Sequence, residues 1–219
     1  MHFIGDVHGE FDKYLALLGG EESGGAGHHI ECSIQVGDMG VFREADVKRL
    51  DGLNGRHRFI RGNHDDPALC HEIPAFMGDA GYLPEISLFW VGGGFSIDRD
   101  MRTLGVDWWD DEELSYDELS HLIARFVDCR PRYVVSHECP ASAKTHLLRS
   151  SSHAHGSSRT EQALQAMWEG HQPEVWVFGH HHRRVDASLM STRFVGLGEM
   201  KYGRLEDCVF EVPGLCWPN

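Results

Sequence analysis

Short apolar runs recur along the chain and break repeatedly at Gly, Asp or His. The runs at 2–5, 31–36, 57–61, 86–91, 132–136, 174–178, 193–197 and 207–212 are too short for helices and predict β-strands. Between several of them the period changes. Phe11, Tyr14, Leu15 and Leu18 fall at i, i+3, i+4 and i+7, the apolar stripe of a helix over 10–18 that Gly19-Gly20 closes. A weaker helix is expected over 44–51. Ser115-Tyr116-Asp117-Glu118 and Ser158-Arg159-Thr160-Glu161 have the form of capping boxes. The first opens a helix carrying Leu119, Leu122, Ile123 and Phe126, the second a helix carrying Leu164, Met167 and Trp168. Residues 91–98 read as strand, tight turn, strand around Gly92-Gly93-Gly94, and the polar segments 19–29 and 149–158 read as loops. Strands mixed with helices over this length predict a layered α/β (α+β) fold, without internal repeats, in one domain over residues 1–219.

Composition narrows the function classes. With 219 residues, 41% of them hydrophobic and 25% charged, the chain can bury a core without disulfides or a structural metal. No window approaches 18 consecutive apolar residues, so no membrane span is expected. Met1-His2-Phe3-Ile4-Gly5-Asp6 lacks a basic segment ahead of an apolar one, so no signal peptide is read there and a cytoplasmic location is expected. The cysteines, Cys32, Cys70, Cys129, Cys139, Cys208 and Cys216, form no CxxC pair, which argues against zinc-finger and redox motifs. Cys129 and Cys208, inside apolar runs, read as small buried hydrophobes. A net charge of -14 opposes long nucleic acid or an anionic membrane as a partner, but not a local phosphate site. There are 16 histidines and no terminal run of them, so their positions carry the information.

Five short blocks stand at predicted strand ends: Gly5-Asp6-Val7-His8-Gly9-Glu10, Gly37-Asp38-Met39-Gly40, Gly62-Asn63-His64-Asp65, Ser136-His137-Glu138 and Gly179-His180-His181-His182. In layered α/β proteins functional groups gather beyond the carboxyl ends of strands, so five loops could converge on one spot. Their oxygen and nitrogen donors suit borderline divalent metals, and the lack of a thiolate argues against a structural zinc site. Asp6, His8, Asp38, Asn63, His137, His180 and His182 are too many ligands for one ion with an open position. They fit two ions that share a carboxylate.

In this order, D-x-H, GD, GNHD, a lone His after an apolar run, and GHxH resemble the motif series of the calcineurin-like metallophosphoesterases, in particular small prokaryotic and phage members. The motifs run from Asp6 to His182. The resemblance implies two mixed β-sheets packed face to face with helices outside. It implies that Asp6, His8 and His182 hold one metal, that Asn63, His137 and His180 hold a second, and that Asp38 bridges them. It further implies hydrolysis of phosphoric esters: hydroxide held between two divalent ions (Mn first, with Fe, Zn, Ni or Co as alternatives) that Asp38 bridges attacks phosphorus in line with the leaving oxygen, which His64 protonates. Asp65, Glu138 and main-chain carbonyls are candidates to orient the ligands, and His181 is expected to point away.

One departure bears on the substrate. The Ser/Thr protein phosphatase branch carries GDxVDRG where this chain reads Gly37-Asp38-Met39-Gly40-Val41-Phe42-Arg43. Val41 and Phe42 replace its second Asp and its Arg, and Arg43 is displaced by one residue. Arg43, Arg99 and Arg102 are the candidate phosphate contacts, whereas Arg61 reads as a structural ion pair. Trp108-Trp109 is expected to pack on the core rather than stack on a base, and Glu112-Glu113 to form a solvated face. His153 and His155 are weighed as a third metal site and read as exposed; His28, His29, His57, His71, His121, His146 and His171 read as surface or helix residues. The substrate is a phosphorylated small molecule, a nucleotide or a phosphoprotein. A phosphodiesterase acting on cyclic nucleotides, dinucleotides or nucleic acid is the alternative to a phosphomonoesterase. An inactive metal-binding scaffold is the competing class, and the presence of every ligand and of His64 opposes it.

Overall fold

Strands β1 (His2–Ile4), β2 (Ser33–Gln35) and β3 (His57–Phe59) pair in parallel, and β10 (Val209–Glu211) adds antiparallel to β1, giving a four-stranded sheet in the order β10-β1-β2-β3. The second sheet has six strands in the order β4-β5-β6-β7-β9-β8. Its centre is parallel, formed by β5 (Leu88–Val91), β6 (Tyr133–Ser136), β7 (Val175–Phe178) and β9 (Thr192–Gly196). Its edges, β4 (Ala80–Leu83) and β8 (Val185–Leu189), are antiparallel. The computed structural model describes residues 1–19, 30–53, 55–149 and 157–218.

The strands read as continuous apolar runs because both faces of each sheet are covered. Phe3, Ile34 and Val36 of the first sheet meet Val135, Val177 and Val195 of the second in one buried cluster between the sheets. The outer face of the first sheet packs on α1 (Phe11–Gly19), α2 (Glu44–Leu50) and α3 (Pro67–Cys70) through Tyr14, Leu18, Val47, Leu50 and Cys70. Val134, Trp176, Phe178 and Phe194 face outward from the second sheet onto α4 (Tyr116–Cys129), α5 (Ala141–Leu147) and α6 (Arg159–Gly170), meeting Phe126, Leu164 and Met167. Each such buried side chain contributes about 1.5–3 kcal/mol relative to exposure. A last turn, α7 (Leu205–Cys208), leads into β10. No described helix is long and apolar enough to cross a membrane.

Several expectations are corrected. The strands β4 and β8 are additions; β8 alternates between half-buried and exposed positions, the pattern of an edge strand rather than of an apolar run. The short helices α3, α5 and α7 are also additions. Residues 92–98 form no second strand, because the Gly93 and Gly94 amides bond to the carbonyls of Arg61 and Glu112 instead of to a ladder. At α4 the capping box is reciprocal, but at α6 Glu161 gives only its amide to Ser158 while its carboxylate pairs with Lys144. His57 is buried, because parallel pairing sets it opposite Ser33, whose Oγ lies 3.0 Å from its Nδ1. Cys208 is buried, but Cys129, on the last turn of α4, is only half-buried. Glu112 and Glu113 are 3% and 7% exposed, not a solvated face: Glu112 binds Ser96, and Glu113 accepts the Thr160 amide at the start of α6. Segments 19–29 and 149–158, apart from their ends, and His28, His29, His153 and His155 lie outside the described residues.

Candidate active site

The loops leaving β1, β2, β3, β6 and β7 at their carboxyl ends meet in one place. The turns are sharp: His8, Asp38, His180 and His182 stand at φ 50°, 56°, 64° and 52°. Such left-handed backbone costs a non-glycine residue about 1–3 kcal/mol and persists where surrounding structure enforces it. Asp65 supplies part of that enforcement. Fully buried, its carboxylate accepts the amides of Met39 (3.1 Å), Gly40 (2.7 Å), Val41 (3.0 Å) and Gly62 (2.8 Å), tying the loop after β2 to the loop after β3. Burial and the neighbouring Asp38 push its pKa up, and those amides oppose the rise.

Among the described residues three groups of potential ligands result; one is Glu138, Cys139 and His181, and the other two share Asp38. The ligand atoms of Asp6, His8, Asp38 and His182 lie within 4.8 Å of one another, and so do those of Asp38, His137 and His180. In the first group His8 Nε2 and His182 Nε2 are 3.0 Å apart, His182 Nε2 is 3.2 Å from Asp6 Oδ2, and His8 Nε2 is 3.8 Å from Asp38 Oδ2. In the second, His137 Nε2 lies 3.2 Å from Asp38 Oδ1 and 3.1 Å from Asn63 Oδ1. Asp38 therefore offers one oxygen to each group. Two imidazole nitrogens directed at each other beside two buried carboxylates are a donor set that a divalent cation fits.

The electrostatics agree with that fit. Burial works against the Asp38 carboxylate, but His137, His64 and His8 outweigh it and hold its pKa well below the usual range. Burial also opposes charge on His137, yet Asp38 beside it raises the pKa to about 10. His180, with less compensation, is pushed down to about 3 by burial. His182 is raised by its hydrogen bond to Asp6.

Each group has outer support. His137 Nδ1 lies 3.0 Å from the Val36 carbonyl. Glu138 is buried with Oε2 3.3 Å from His180 Nε2 and Oε1 2.6 Å from His181 Nε2, so His181 is turned away from the two ligand groups and towards Glu138. Burial opposes ionisation of Glu138, but His181 and His180 keep its pKa well below the carboxylate range. Asp65, the other candidate, serves the backbone instead of a ligand.

His64 stands edge-on to His8 with ring centroids 5.1 Å apart, and its amide donates to Asp38 Oδ1 at 2.8 Å. Burial lowers its pKa; Asp38 opposes this and Arg102 reinforces it. The Arg102 guanidinium lies along the imidazole, Nη2 2.7 Å from Nε2 and Nη1 3.1 Å from Nδ1, and Asp98 anchors it at 2.9 Å. These groups line a cavity of about 660 Å³ whose wall includes Phe42, Phe95, Ile97 and Tyr202. Of the other arginines, Arg43 is 78% exposed and paired with Asp46, and Arg99 lies over the Phe95 ring; neither lines the cavity. Arg61 is buried in an ion pair with Asp79, the structural role expected of it. Trp109 is buried against Phe42 rather than free to stack on a base.

The chain matches the family model of the calcineurin-like phosphoesterases over residues 2–184. It belongs to that family. Among curated proteins, none matches. A solved structure similar in fold is phosphopantetheinyl hydrolase from Mycobacterium tuberculosis, with 14% identity and a TM-score of 0.50 over 97% of this chain and 95% of that one. Another, from Staphylococcus aureus and named as a 5′-nucleotidase, has 10% identity and a TM-score of 0.48 over 90% of this chain and 48% of that one. The chain thus spans about half the length of the latter. The two mixed sheets described above are those of a member of this family.

In this phosphoesterase one acidic residue at the site escapes sequence reasoning. Glu199 Oε2 lies 3.6 Å from His8 Nε2 and 3.5 Å from His182 Nδ1. Leu197-Gly198-Glu199 follows β9 in the same form, Gly then acid after an apolar run, as Gly5-Asp6 and Gly37-Asp38. That repetition is the signal that could have found it.

Proposed function

We propose that this phosphoesterase hydrolyses a phosphate ester of a small molecule at a dinuclear site, with Asp6, His8, Asp38 and His182 around one ion and Asp38, Asn63, His137 and His180 around the other. The observation that carries this reading is the placement of Asp38, one oxygen towards His8 and the other towards His137. Mn suits these carboxylate and imidazole donors, with Fe, Co, Ni and Zn as alternatives. Bound there, such cations acidify a water and offset phosphoryl charge.

His64 holds the proton for the leaving oxygen, beside His8 and within the cavity. Arg102, lying beside His64 and anchored by Asp98, presents its guanidinium to the phosphoryl oxygens. It thereby supplies a cation that Phe42, standing where the protein phosphatase branch has its Arg, does not. A cavity of about 660 Å³ falls within the roughly 300–1,000 Å³ of small-molecule sites, and its apolar wall suits the organic part of a small ester better than an extended phosphoprotein.

The test is turnover of p-nitrophenyl phosphate and bis-p-nitrophenyl phosphate by protein stripped with EDTA and reloaded with Mn. The expected result is monoester cleavage that appears only on reloading. Cleavage of the diester in its place moves the reading to a phosphodiesterase, and cleavage of neither with two Mn bound per chain moves it to a scaffold.

A further inference from the structure

The segment after β5, Gly92-Gly93-Gly94-Phe95-Ser96, and the acidic pair at Glu112-Glu113 have no part in the mechanism above. They meet behind Asn63. Asn63 Nδ2 donates to Ser96 Oγ at 3.0 Å, and Ser96 Oγ donates to Glu112 Oε2 at 2.5 Å. The Ser96 amide donates to the other carboxylate oxygen of Glu112 at 2.9 Å. Asn63, Ser96 and Glu112 are 2%, 1% and 3% exposed.

The donor count leaves one arrangement. A hydroxyl has one proton. Glu112, as a carboxylate, can only accept, so the Ser96 proton is committed to it. Towards Asn63 the hydroxyl then has only a lone pair, and the Asn63 group facing it must be the NH₂. The carbonyl oxygen Oδ1 is thereby directed the other way, to within 3.1 Å of His137 Nε2. A flipped amide would set an oxygen against an oxygen inside a buried site, which costs about 1–3 kcal/mol or more.

We propose that Glu112, acting through Ser96, is the positioning residue that sets the amide orientation of Asn63 and so presents Oδ1 to the second metal site. The inference rests on the dinuclear reading, since only there is Oδ1 a ligand. It assigns a purpose to a buried carboxylate whose side chain has no ion-pair partner among the described residues.

Glu112→Gln tests it, because the shape is kept and the forced choice is lost. A glutamine NH₂ can donate to Ser96 Oγ, freeing the hydroxyl proton for Asn63 Oδ1, so both amide orientations become allowed. Mn titration followed by electron paramagnetic resonance reads the two sites separately, as an isolated and an exchange-coupled signal. The expected result is a second-site affinity about 10- to 100-fold weaker, the usual effect of losing an outer partner, with the first site within 2-fold of wild type. Ser96→Ala should do the same, and Ser96→Thr, which keeps the hydroxyl, should restore coupling. Two Mn bound by Glu112→Gln with wild-type affinities overturns the relay alone. Equal weakening of both sites, or loss of the metal-free unfolding transition, also overturns it, because the pair would then support the fold rather than a ligand. A wild type that takes up fewer than two Mn overturns the dinuclear reading and the relay with it.

Discussion

Asp38 Oδ1 lies 3.2 Å from His137 Nε2, joining the loop after β2 in one sheet to the loop after β6 in the other. Both residues are buried, and each stabilises the charged form of its partner against the cost of burial. Without a metal the pair is a carboxylate and an imidazolium. A metal needs the same two groups as a carboxylate and a neutral imidazole. Proton and metal therefore compete for His137.

Metal binding should accordingly release a proton at neutral pH. With the His137 pKa near 10 in the metal-free state, the imidazole is protonated at pH 7.5 and must lose that proton. Titration calorimetry of Mn binding in buffers of different ionisation enthalpy should give apparent enthalpies that fall linearly as the buffer value increases, with a slope near minus one, because the buffer takes up the released proton. A slope of zero would mean that His137 is already neutral. The same shift predicts the stability of EDTA-treated protein. A raised pKa contributes stability that is fully present below the unfolded value of about 6.5 and lost as pH rises towards 10. His180, depressed to about 3, acts in the opposite sense: its contribution is present above about 6.5 and lost as pH falls towards 3. Thermal unfolding of the metal-free protein should show a decline on both sides of neutrality, and loading Mn should flatten the alkaline side.

The proton-donating role proposed for His64 predicts that turnover and metal binding separate there. Its ring touches His8 and Arg102, but it belongs to neither ligand group. His64→Ala should lower kcat by roughly 10²–10⁴-fold, the usual range for a proton-transferring side chain, while two Mn remain bound. A p-nitrophenolate leaving group, which needs little protonation, should suffer less than an alkyl phosphate. Loss of metal in this variant would instead make His64 a structural group.

The Asp–His site was legible in the sequence to the extent that its parts are local. Gly5-Asp6, Gly37-Asp38 and Gly179-His180 each set a candidate ligand directly after an apolar run, and Gly62-Asn63 does so one residue later, so the strand end and the candidate ligand are read together. Glu112 could not be read in that way. Beside Asp110 and Asp111 it has the look of a solvated run, and it is buried only because residues 92–96 fold over it from sixteen positions upstream. The edge strands were hidden for a different reason. In β4 a glycine, Gly81, takes the face of the Trp90 ring, and β8 exposes alternate residues, so neither carries the apolar run that marks a strand covered on both faces. Arg102 was one of three arginines that the chain alone could not rank, since a charge near a Gly-rich turn does not reveal which wall it joins.

The structure ranks them. Arg102 is 10% exposed and held over His64 by Asp98, whereas Arg43 is 78% exposed. Arg102→Ala should cost roughly 10²-fold in kcat/KM, the order observed when one donor to a developing oxyanion is removed, and Arg43→Ala should stay within 2-fold. Arg102→Lys should recover little, because a single ammonium cannot span two oxygens as the guanidinium fork does. Steady-state kinetics on p-nitrophenyl phosphate with saturating Mn decides between them, and a large loss for Arg43→Ala would reverse the ranking.

Gly62 shows how little room the bridge leaves. A Cβ added there would land on Asp38 Oδ1 and on the Asp38 amide, and would crowd His137 Nε2 at 2.7 Å. None of these can retreat, because the loop carrying Asp38 is tied to Asp65 and the His137 ring is fixed at the Val36 carbonyl. Gly62→Ala should therefore destabilise the protein by about 1–3 kcal/mol, as overpacking of a rigid site does. It should also displace the one carboxylate that both groups of ligands share. The two Mn affinities should consequently fall together, in contrast to Glu112→Gln, where only the second should move. Thermal unfolding with and without Mn measures both effects: the melting temperature of Gly62→Ala should fall in the metal-free protein, and added Mn should raise it by less than in wild type. An Ala variant with unchanged melting temperature and undiminished Mn stabilisation would mean that the loops at Asp38 and Gly62 can part without cost, against the packing described here.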